Sequence, residues 1–154
     1  MPETTVHHAT FTLTRDLDAA PERVWGAFAN EDLKARWFGV NVNATLVERS
    51  FDFRPGGAER AVGHWKSGMV TDFQCRYHDI VEGARILYVY DMFVNGWKMS
   101  VSLATIQIEA AGAKTRLTIT EQGAFFGDDG GKHAKGRELG TGSLMDALAA
   151  SLDD

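Results

Sequence analysis

The sequence predicts an α+β domain in which antiparallel strands are combined with a long C-terminal helix. Three observations lead to this class. Apolar side chains recur with a two-residue period in several short runs over residues 9–122, and turn residues separate these runs. Two short helix signals follow the first run. Apolar residues at helical spacing, including Leu144 and Leu148, form the last pattern of the chain.

The N-terminal part predicts one strand followed by two short helices. Ala9–Leu17 alternates apolar and polar residues, as a half-buried strand does. Pro21 suits the first turn of a helix, because the N–H that proline lacks would have no helical partner there. Asn30 can cap a second helix, since its side chain would accept a backbone N–H, and Gly39 is a natural stop.

Turn residues divide the middle of the chain into strands. Pro55–Gly56 matches the central residues of a type II turn, and Asn95–Gly96 matches a two-residue hairpin turn. Apolar and polar residues alternate over 73–78 and again over Thr115–Glu121. Short strands joined by tight turns form a meander, so we expect an antiparallel sheet of six to seven strands.

The last helix is predicted over about Lys135–Leu152. Its apolar face extends back to Gly136 and Gly140, and each glycine costs about 1 kcal/mol relative to alanine inside a helix. A close approach to the sheet, or space left for a ligand, would compensate; a frayed first turn would also explain the glycines. The preceding Gly127–Lys132 stretch lacks the spacing of a phosphate loop, so we interpret it as a flexible loop.

Composition restricts the classes of function. With 154 residues, 44% hydrophobic and 24% charged, the chain is expected to form one soluble domain over residues 1–154. A net charge of -5 with scattered Lys and Arg argues against nucleic acid or an anionic membrane as partner. No apolar stretch approaches the roughly 20 residues of a membrane span, and residues 1–8 show no signal-peptide pattern. A single cysteine, Cys75, fits a reducing compartment, so we expect a cytoplasmic protein.

The residue patterns indicate no metal site and no catalytic motif. The five histidines lack the spacings of zinc sites, and His7 and His8 would point to opposite faces of a strand. Cys75 would lie on an inward strand face, which favours a buried thiol with a raised pKa. We therefore expect no metal, no cofactor, and a binding role rather than catalysis.

Polar residues that alternate into the predicted interior are the first candidates for a site. In the run 97–109, the parity of the apolar residues from Ala104 onward turns Ser100 and Ser102 inward. A bulge would instead bury the odd-numbered residues that begin at Met99. The two alternatives predict opposite faces for the serines.

Glu121 is the second candidate, because it shares the parity of Leu117 and Ile119. If it faces the interior, its carboxylate needs a hydrogen-bond partner or a raised pKa. The alternative is a carboxylate that reaches solvent at the end of the strand. Phe125–Phe126 would follow as a lid over a pocket, or would pack in the core.

Four motifs are similar to those of one protein family. Arg36–Gly39 resembles the tryptophan-bearing end of the family's second short helix, and Phe51–Gly57 its Asp-x-Arg-x-Gly-Gly signature. Thr115–Gly123 resembles its last strand, and Arg137–Gly140 the usual start of its last helix. Over roughly Ala9–Leu152 the chain resembles the START-like (SRPBCC, helix-grip) superfamily, in the bacterial branch related to the C-terminal domain of the heat-shock-protein-90 ATPase activator. This resemblance implies a curved sheet wrapped around the C-terminal helix, with a cavity between them.

The resemblance also implies a function, because members of the superfamily bind lipids, hormones or polyketides. We therefore expect a small hydrophobic ligand, lipid-like or polyketide-like. Two alternatives remain: a cyclase or hydrolase that uses Glu121 as acid or base, and a chaperone-interaction module. The exposed face of the sheet could also pair two subunits as a homodimer through Trp97 or Trp65.

The predicted cavity combines an apolar wall with a few orienting polar groups, as small-molecule sites do. Its tyrosines, serines and carboxylate would orient a ligand, and its other aromatic residues would enclose it. The predicted ligand-binding residues are Trp37, Phe73, Tyr77, Tyr88, Tyr90, Ser100, Ser102, Glu121 and Phe125.

Overall fold

The computed structural model describes residues 4–39 and 41–153. Residues 1–3, 40 and 154 lie outside the described residues, and the prediction about a signal peptide falls partly on the first three of them. The described elements are β1 (Val6–Leu17), α1 (Pro21–Ala29), α2 (Glu31–Lys34), β2 (Ala44–Phe51), β3 (Ala58–Trp65), β4 (Val70–Val81), β5 (Arg85–Val94), β6 (Trp97–Ala111), β7 (Lys114–Phe126) and α3 (Gly130–Ser151).

All seven described strands form one antiparallel sheet in the order β1-β7-β6-β5-β4-β3-β2. The first strand pairs with the last over its whole length, with Val6 opposite Phe126 and Leu17 opposite Thr115. The helices α1 and α2 connect β1 to β2, which form the two edges of the sheet. The prediction of a curved antiparallel sheet with a C-terminal helix, and two short helices after the first strand, is confirmed.

Three register shifts occur in the described strands, at Val47 in β2, His78 in β4 and Met99 in β6. Each places one extra residue opposite the partner strand, which bends the strand and changes the parity of its side chains. The shift at Met99 leaves Ser100 and Ser102 inward, and both are buried. The inward prediction for the serines is therefore confirmed, and the bulge lies immediately before them.

Both predicted turns have the backbone that their glycines allow. In the turn at Pro55, the Gly57 N–H donates to the Arg54 carbonyl over 2.8 Å, and Gly56 has a φ of 82°. These are the features of a type II turn. In the hairpin between β5 and β6, Asn95 and Gly96 both have positive φ, at 50° and 81°, as a type I′ turn requires.

The two short helices attach to the core through a cap and a tryptophan. The Asn30 side chain accepts the Leu33 N–H over 3.0 Å, which confirms the predicted N-cap of α2. Trp37, in the turn after α2, is buried and donates its indole N–H to the carbonyl of Ala27 in α1. Trp37 also contacts Phe28 edge to face, with ring centroids 5.1 Å apart. The two helices are thereby fixed to each other.

The C-terminal helix starts earlier than predicted. It begins at Gly130, so Gly130–Lys132 form its first turn and the interpretation of Gly127–Lys132 as a loop is correct only as far as Asp129. The predicted apolar face contains Leu148, which is fully buried, but it omits Met145, which is equally buried. The helix packs mainly against β1 and β7.

Candidate functional site

A cavity of about 400 Å³ lies between the inner face of the sheet and α3. Because the helix packs mainly against β1 and β7, it covers β3, β4 and β5 less closely, and the cavity lies over those strands. The segment after α2 contributes Phe38 and Gly39 to the wall. The apolar part of the sheet wall includes Leu46, Ala61, Phe73 and Met92.

A smaller void of about 30 Å³ lies beside the cavity. Phe38, Tyr88 and Glu121 line both spaces, whereas Trp37 and Tyr77 line only the small void. A void of this size holds roughly one water molecule. The predicted residues Trp37 and Tyr77 therefore lie behind the wall of the main cavity.

Two glycines of α3 leave part of this space open. Gly136 and Gly140 are one turn apart and both line the cavity. A Cβ atom at Gly136 would have no neighbour within 4 Å, and one at Gly140 would meet only the side chain of Arg137. Because α3 begins at Gly130, neither glycine lies in a frayed first turn. The structure thus has open space at Gly136 and the side chain of Arg137 packed over Gly140.

The carboxylate of Glu121 belongs to the cavity wall. Glu121 is 6% exposed, accepts the hydroxyl of Thr141 in α3 over 2.6 Å, and accepts the hydroxyl of Tyr90 in β5 through its other oxygen. The strand end lies further on, since β7 continues to Phe126. The inward orientation is therefore confirmed and the solvent-exposed alternative is wrong. Each carboxylate oxygen therefore accepts one hydrogen bond from a neighbouring hydroxyl.

Tyrosines form the polar side of an otherwise aromatic wall. Tyr88 and Tyr90 point inward from β5, and the Phe73 ring centroid lies 6.3 Å and 5.0 Å from theirs. Burial, followed by the negative charge of Glu121, raises the pKa of both tyrosine hydroxyls. Both are thus neutral hydrogen-bond donors at physiological pH. Among the described residues the Tyr88 hydroxyl has no hydrogen-bond partner, so it is free to donate to a ligand.

A buried ion pair supports the cavity from behind. The Lys34 ammonium of α2 donates to Glu59 Oε1 of β3 over 2.6 Å, and the Tyr77 hydroxyl donates to the same oxygen. Lys34 is 5% exposed and Glu59 is 1% exposed. The ammonium also lies 4.5 Å from the centroid of the Phe38 ring, which lines the cavity. This pair fixes α2, and with it Phe38, against the sheet.

Arg137 is the only Lys or Arg residue among the described residues that line the main cavity. It projects from α3 next to Gly136, and its positive charge is close enough to lower the pKa of Tyr90 in part. Its Nε is buried and has no hydrogen-bond partner. Among residues 4–39 and 41–153, no carboxylate lies within ion-pair distance of its guanidinium.

Of the nine predicted residues, four line the main cavity, namely Phe73, Tyr88, Tyr90 and Glu121. Ser100, Ser102 and Phe125 face inward and are buried, but they line neither space. Ser100 and Ser102 lie on β6, and Phe125 lies on β7. Phe125 is a residue of β7 rather than of a loop at the cavity mouth. Its position favours the core-packing interpretation over the lid.

The two tryptophans considered for a dimer do not lie on the outer face of the sheet. Trp65 lines the cavity, and its indole N–H donates to Thr71 over 3.1 Å. Trp97 is 48% exposed and lies beside His133 of α3, with ring centroids 6.3 Å apart. Both are therefore on the helix side of the sheet, and the homodimer remains an untested prediction.

The site residues on β3 and α3 were not predicted from the sequence. Glu59, Ala61 and Gly63 alternate on the inner face of β3, and this alternation could have identified Glu59 as a buried carboxylate. Thr141 could have been found as the polar residue one position after Gly140 on the cavity side of α3. Arg137 begins a segment that resembles the family's helix start, but this resemblance assigns it no role, and an arginine near a helix start is ordinarily solvated.

The thiol and the acidic groups offer little for catalysis or metal binding. Burial raises the pKa of the Cys75 thiol to about 12, so the predicted inert cysteine is confirmed. In the part of the chain that the structure describes, no three His, Cys, Asp or Glu residues converge as metal ligands would. No described helix combines the length and the apolar character that a membrane crossing requires.

Comparison with known proteins identifies the family. The model of the family described as Activator of Hsp90 ATPase homolog 1-like protein matches residues 18–153. The chain belongs to this family. Membership in the Activator of Hsp90 ATPase homolog 1-like family confirms the START-like resemblance that the motifs indicated.

Solved structures extend the likeness to the whole chain. A protein from Rhizobium loti is 41% identical, with a TM-score of 0.86 over 96% of this chain and 99% of its own. A protein from Rhizobium leguminosarum is 33% identical, with a TM-score of 0.90 over 97% of both chains. DynU16, from the dynemicin biosynthetic locus, is 17% identical with a TM-score of 0.71 over 94% of this chain and 47% of its own, and at that identity it shares the fold alone. A comparison with curated proteins gave no match.

Proposed function

We propose that the protein binds a small hydrophobic or aromatic molecule, lipid-like or polyketide-like, in the cavity between the sheet and α3. The observation that carries this proposal is the cavity itself, about 400 Å³ in volume and walled mainly by apolar side chains. Binding sites for small molecules typically occupy about 300–1,000 Å³ and combine such walls with a few polar groups. The size and the chemistry of the cavity both fit that description.

The aromatic wall favours a ligand with a flat or extended apolar body. Phe38, Phe73 and Tyr90 contact one another in sequence, with centroid distances of 5.1 Å and 5.0 Å. Rings held in this way lose little side-chain entropy when a ligand packs against them. The Tyr88 hydroxyl then supplies a donor that orients the bound molecule.

The polar groups support binding rather than catalysis. Each oxygen of Glu121 already accepts a hydroxyl hydrogen bond, from Tyr90 and from Thr141, so a substrate would have to compete with these donors for the carboxylate. The raised pKa of Tyr88 and Tyr90 makes these tyrosines donors and not bases. Cys75 is buried and does not line the cavity.

The fold is consistent with a small-molecule role. DynU16 shares it, and that protein comes from a biosynthetic locus. This likeness supports the proposal by analogy of fold only, because one fold serves many functions. The proposed binding role therefore depends on the cavity of this chain and not on its relatives.

A thermal-shift screen against fatty acids, aromatic acids and polyketide-like compounds tests the proposal. A ligand at about 100 times its Kd adds roughly 2.7 kcal/mol to the free energy of unfolding. For a domain of this size, that raises the Tm by several degrees. We expect at least one compound class to produce such a shift; no shift with any class would contradict the proposal.

Two variants at Gly136 show whether a compound that raises the Tm occupies the cavity. Gly136→Leu should fill part of the space, because a Cβ there has no neighbour within 4 Å, and it should abolish the shift. Gly136→Ala is the matched control and should keep it. Both substitutions remove a helical glycine, so both proteins should remain folded and gain up to about 1 kcal/mol. An equal shift in all three proteins would place the compound outside the cavity.

A further inference from the structure

The charge balance of the cavity wall indicates which kind of molecule it suits. Of the residues that line the main cavity, Glu121 is the anion and Arg137 is the cation. They are not within ion-pair distance of each other. Glu121 already receives the hydroxyls of Tyr90 and Thr141, whereas the buried Nε of Arg137 donates to no described atom. The Glu121 carboxylate therefore has hydrogen-bond donors, whereas the Nε of Arg137 has no acceptor.

An unpartnered buried donor on a charged group is unfavourable. A buried donor without an acceptor destabilises the folded protein, and does so more strongly when the group is charged. The neighbouring Gly140 leaves room for the Arg137 side chain, since a Cβ at that glycine would lie 2.4 Å from a guanidinium nitrogen. The helix thus holds the guanidinium beside the cavity without supplying an acceptor for it.

A second donor is available on the opposite wall. The Tyr88 hydroxyl lines the same cavity from β5 and has no hydrogen-bond partner among the described residues. Arg137 on α3 and Tyr88 on β5 therefore present unpartnered donors from two walls of the cavity. An arginine and a phenol hydroxyl are suited to an anionic oxygen group, because hydrogen bonds to a charged acceptor are the stronger ones.

We infer that the ligand is an organic acid whose apolar body fills the aromatic part of the cavity and whose carboxylate binds Arg137. This inference rests on the proposed function and specifies its ligand class. Tyr88 is the second donor to the carboxylate. The Glu121 carboxylate does not pair with Arg137, because the two groups are not within ion-pair distance and the hydroxyls of Tyr90 and Thr141 donate to Glu121 instead.

Matched pairs of probes test the inference by isothermal titration calorimetry at neutral pH, where carboxylic acids are ionised. The probes are decanoic acid and its methyl ester, and naphthoic acid and its methyl ester. We expect at least one acid to bind about tenfold or more tightly than its ester, which corresponds to roughly 1.4 kcal/mol. The pair that shows the preference distinguishes a fatty acid from an aromatic acid.

Variants at Arg137 assign the preference to one side chain. Arg137→Gln should reduce the affinity for the acid to that for the ester and leave the ester unchanged, while Arg137→Lys should retain part of the preference. Arg49→Gln is the control, because Arg49 also has a buried unpartnered nitrogen but does not line the cavity. An acid preference that persists in Arg137→Gln, or is lost in Arg49→Gln, would overturn the assignment.

The outcomes separate this inference from the proposed function. If an acid and its ester bind the wild-type protein equally, and both lose binding in Gly136→Leu, the cavity binds small molecules but the acid assignment is wrong. If neither probe class nor any other compound of the screen binds, the proposed function fails. If the acids bind preferentially and Arg137→Gln removes that preference, both stand.

Discussion

Replacing Glu59 with glutamine is expected to lower the free energy of unfolding by about 3–5 kcal/mol, because it leaves the Lys34 ammonium buried without a counter-charge. The pair is almost completely inaccessible to solvent, and the distance between Lys34 Nζ and Glu59 Oε1 is 2.6 Å. The loss should appear as a lower midpoint in urea unfolding, with an unchanged slope.

A second substitution identifies the reason for that loss. In Lys34→Met with Glu59→Gln no charge is left unpaired, and the Tyr77 hydroxyl can still donate to the amide oxygen. We expect this double variant to be more stable than Glu59→Gln alone, as is observed when a buried pair is removed completely. Asp52→Asn breaks the exposed pair with Arg54 and should change stability little. A double variant less stable than Glu59→Gln would contradict the account.

Alkaline unfolding should follow from the raised pKa of all three tyrosines of the chain, Tyr77, Tyr88 and Tyr90. Burial is the largest cause of the raised pKa in each, followed by the charge of Glu59 for Tyr77 and of Glu121 for the other two. Above about pH 10 the unfolded chain releases phenol protons that the folded chain retains. The free energy of unfolding therefore falls as pH rises above about 10. Below that pH the tyrosines stay protonated in both states and do not change the stability.

The magnitude of this effect is large, because the groups act together. Each tyrosine lowers the free energy of unfolding by up to about 1.4 kcal/mol per pH unit above its unfolded pKa. Cys75 adds a similar slope over a window that begins lower and ends near its folded pKa of about 12. We expect the ultraviolet absorbance of tyrosinate to rise only in step with the loss of circular dichroism.

Protein unfolded in urea is the reference for that titration, and its tyrosines should ionise near pH 10. The folded protein should show no tyrosinate until it unfolds at higher pH. A tyrosinate signal with a midpoint near pH 10 in protein that is still folded would contradict the raised pKa of the tyrosines.

Side-chain parity predicted which face of the sheet a residue occupies but not its position along that face. Ser100, Ser102 and Glu121 all face inward, as the alternation of β6 and β7 indicated. Of these three residues, only Glu121 lines the cavity, which also depends on where α3 lies over the sheet. The placement of a helix over a sheet depends on packing between distant segments, which a local pattern does not encode.

The buried pair of Lys34 and Glu59 was likewise not predictable from a local pattern. Lys34 lies in a four-residue helix and Glu59 follows a turn, so each appears solvated when its local sequence is considered alone. Their burial results from the docking of α2 against β3. By contrast, Gly136 and Gly140 were recognisable from sequence as a cost that required compensation, and the structure has open space at Gly136 and the Arg137 side chain over Gly140.

A titration of the ¹⁵N-labelled protein with the compound that produces the largest thermal shift, followed through the backbone amide resonances, shows directly whether a ligand binds in the cavity. We expect the perturbed amides to cluster around the cavity, at Gly63, Tyr88, Gly136, Gly140 and Thr141. Perturbations confined to the outer face of the sheet would contradict it, as would resonances that do not change while the compound is bound.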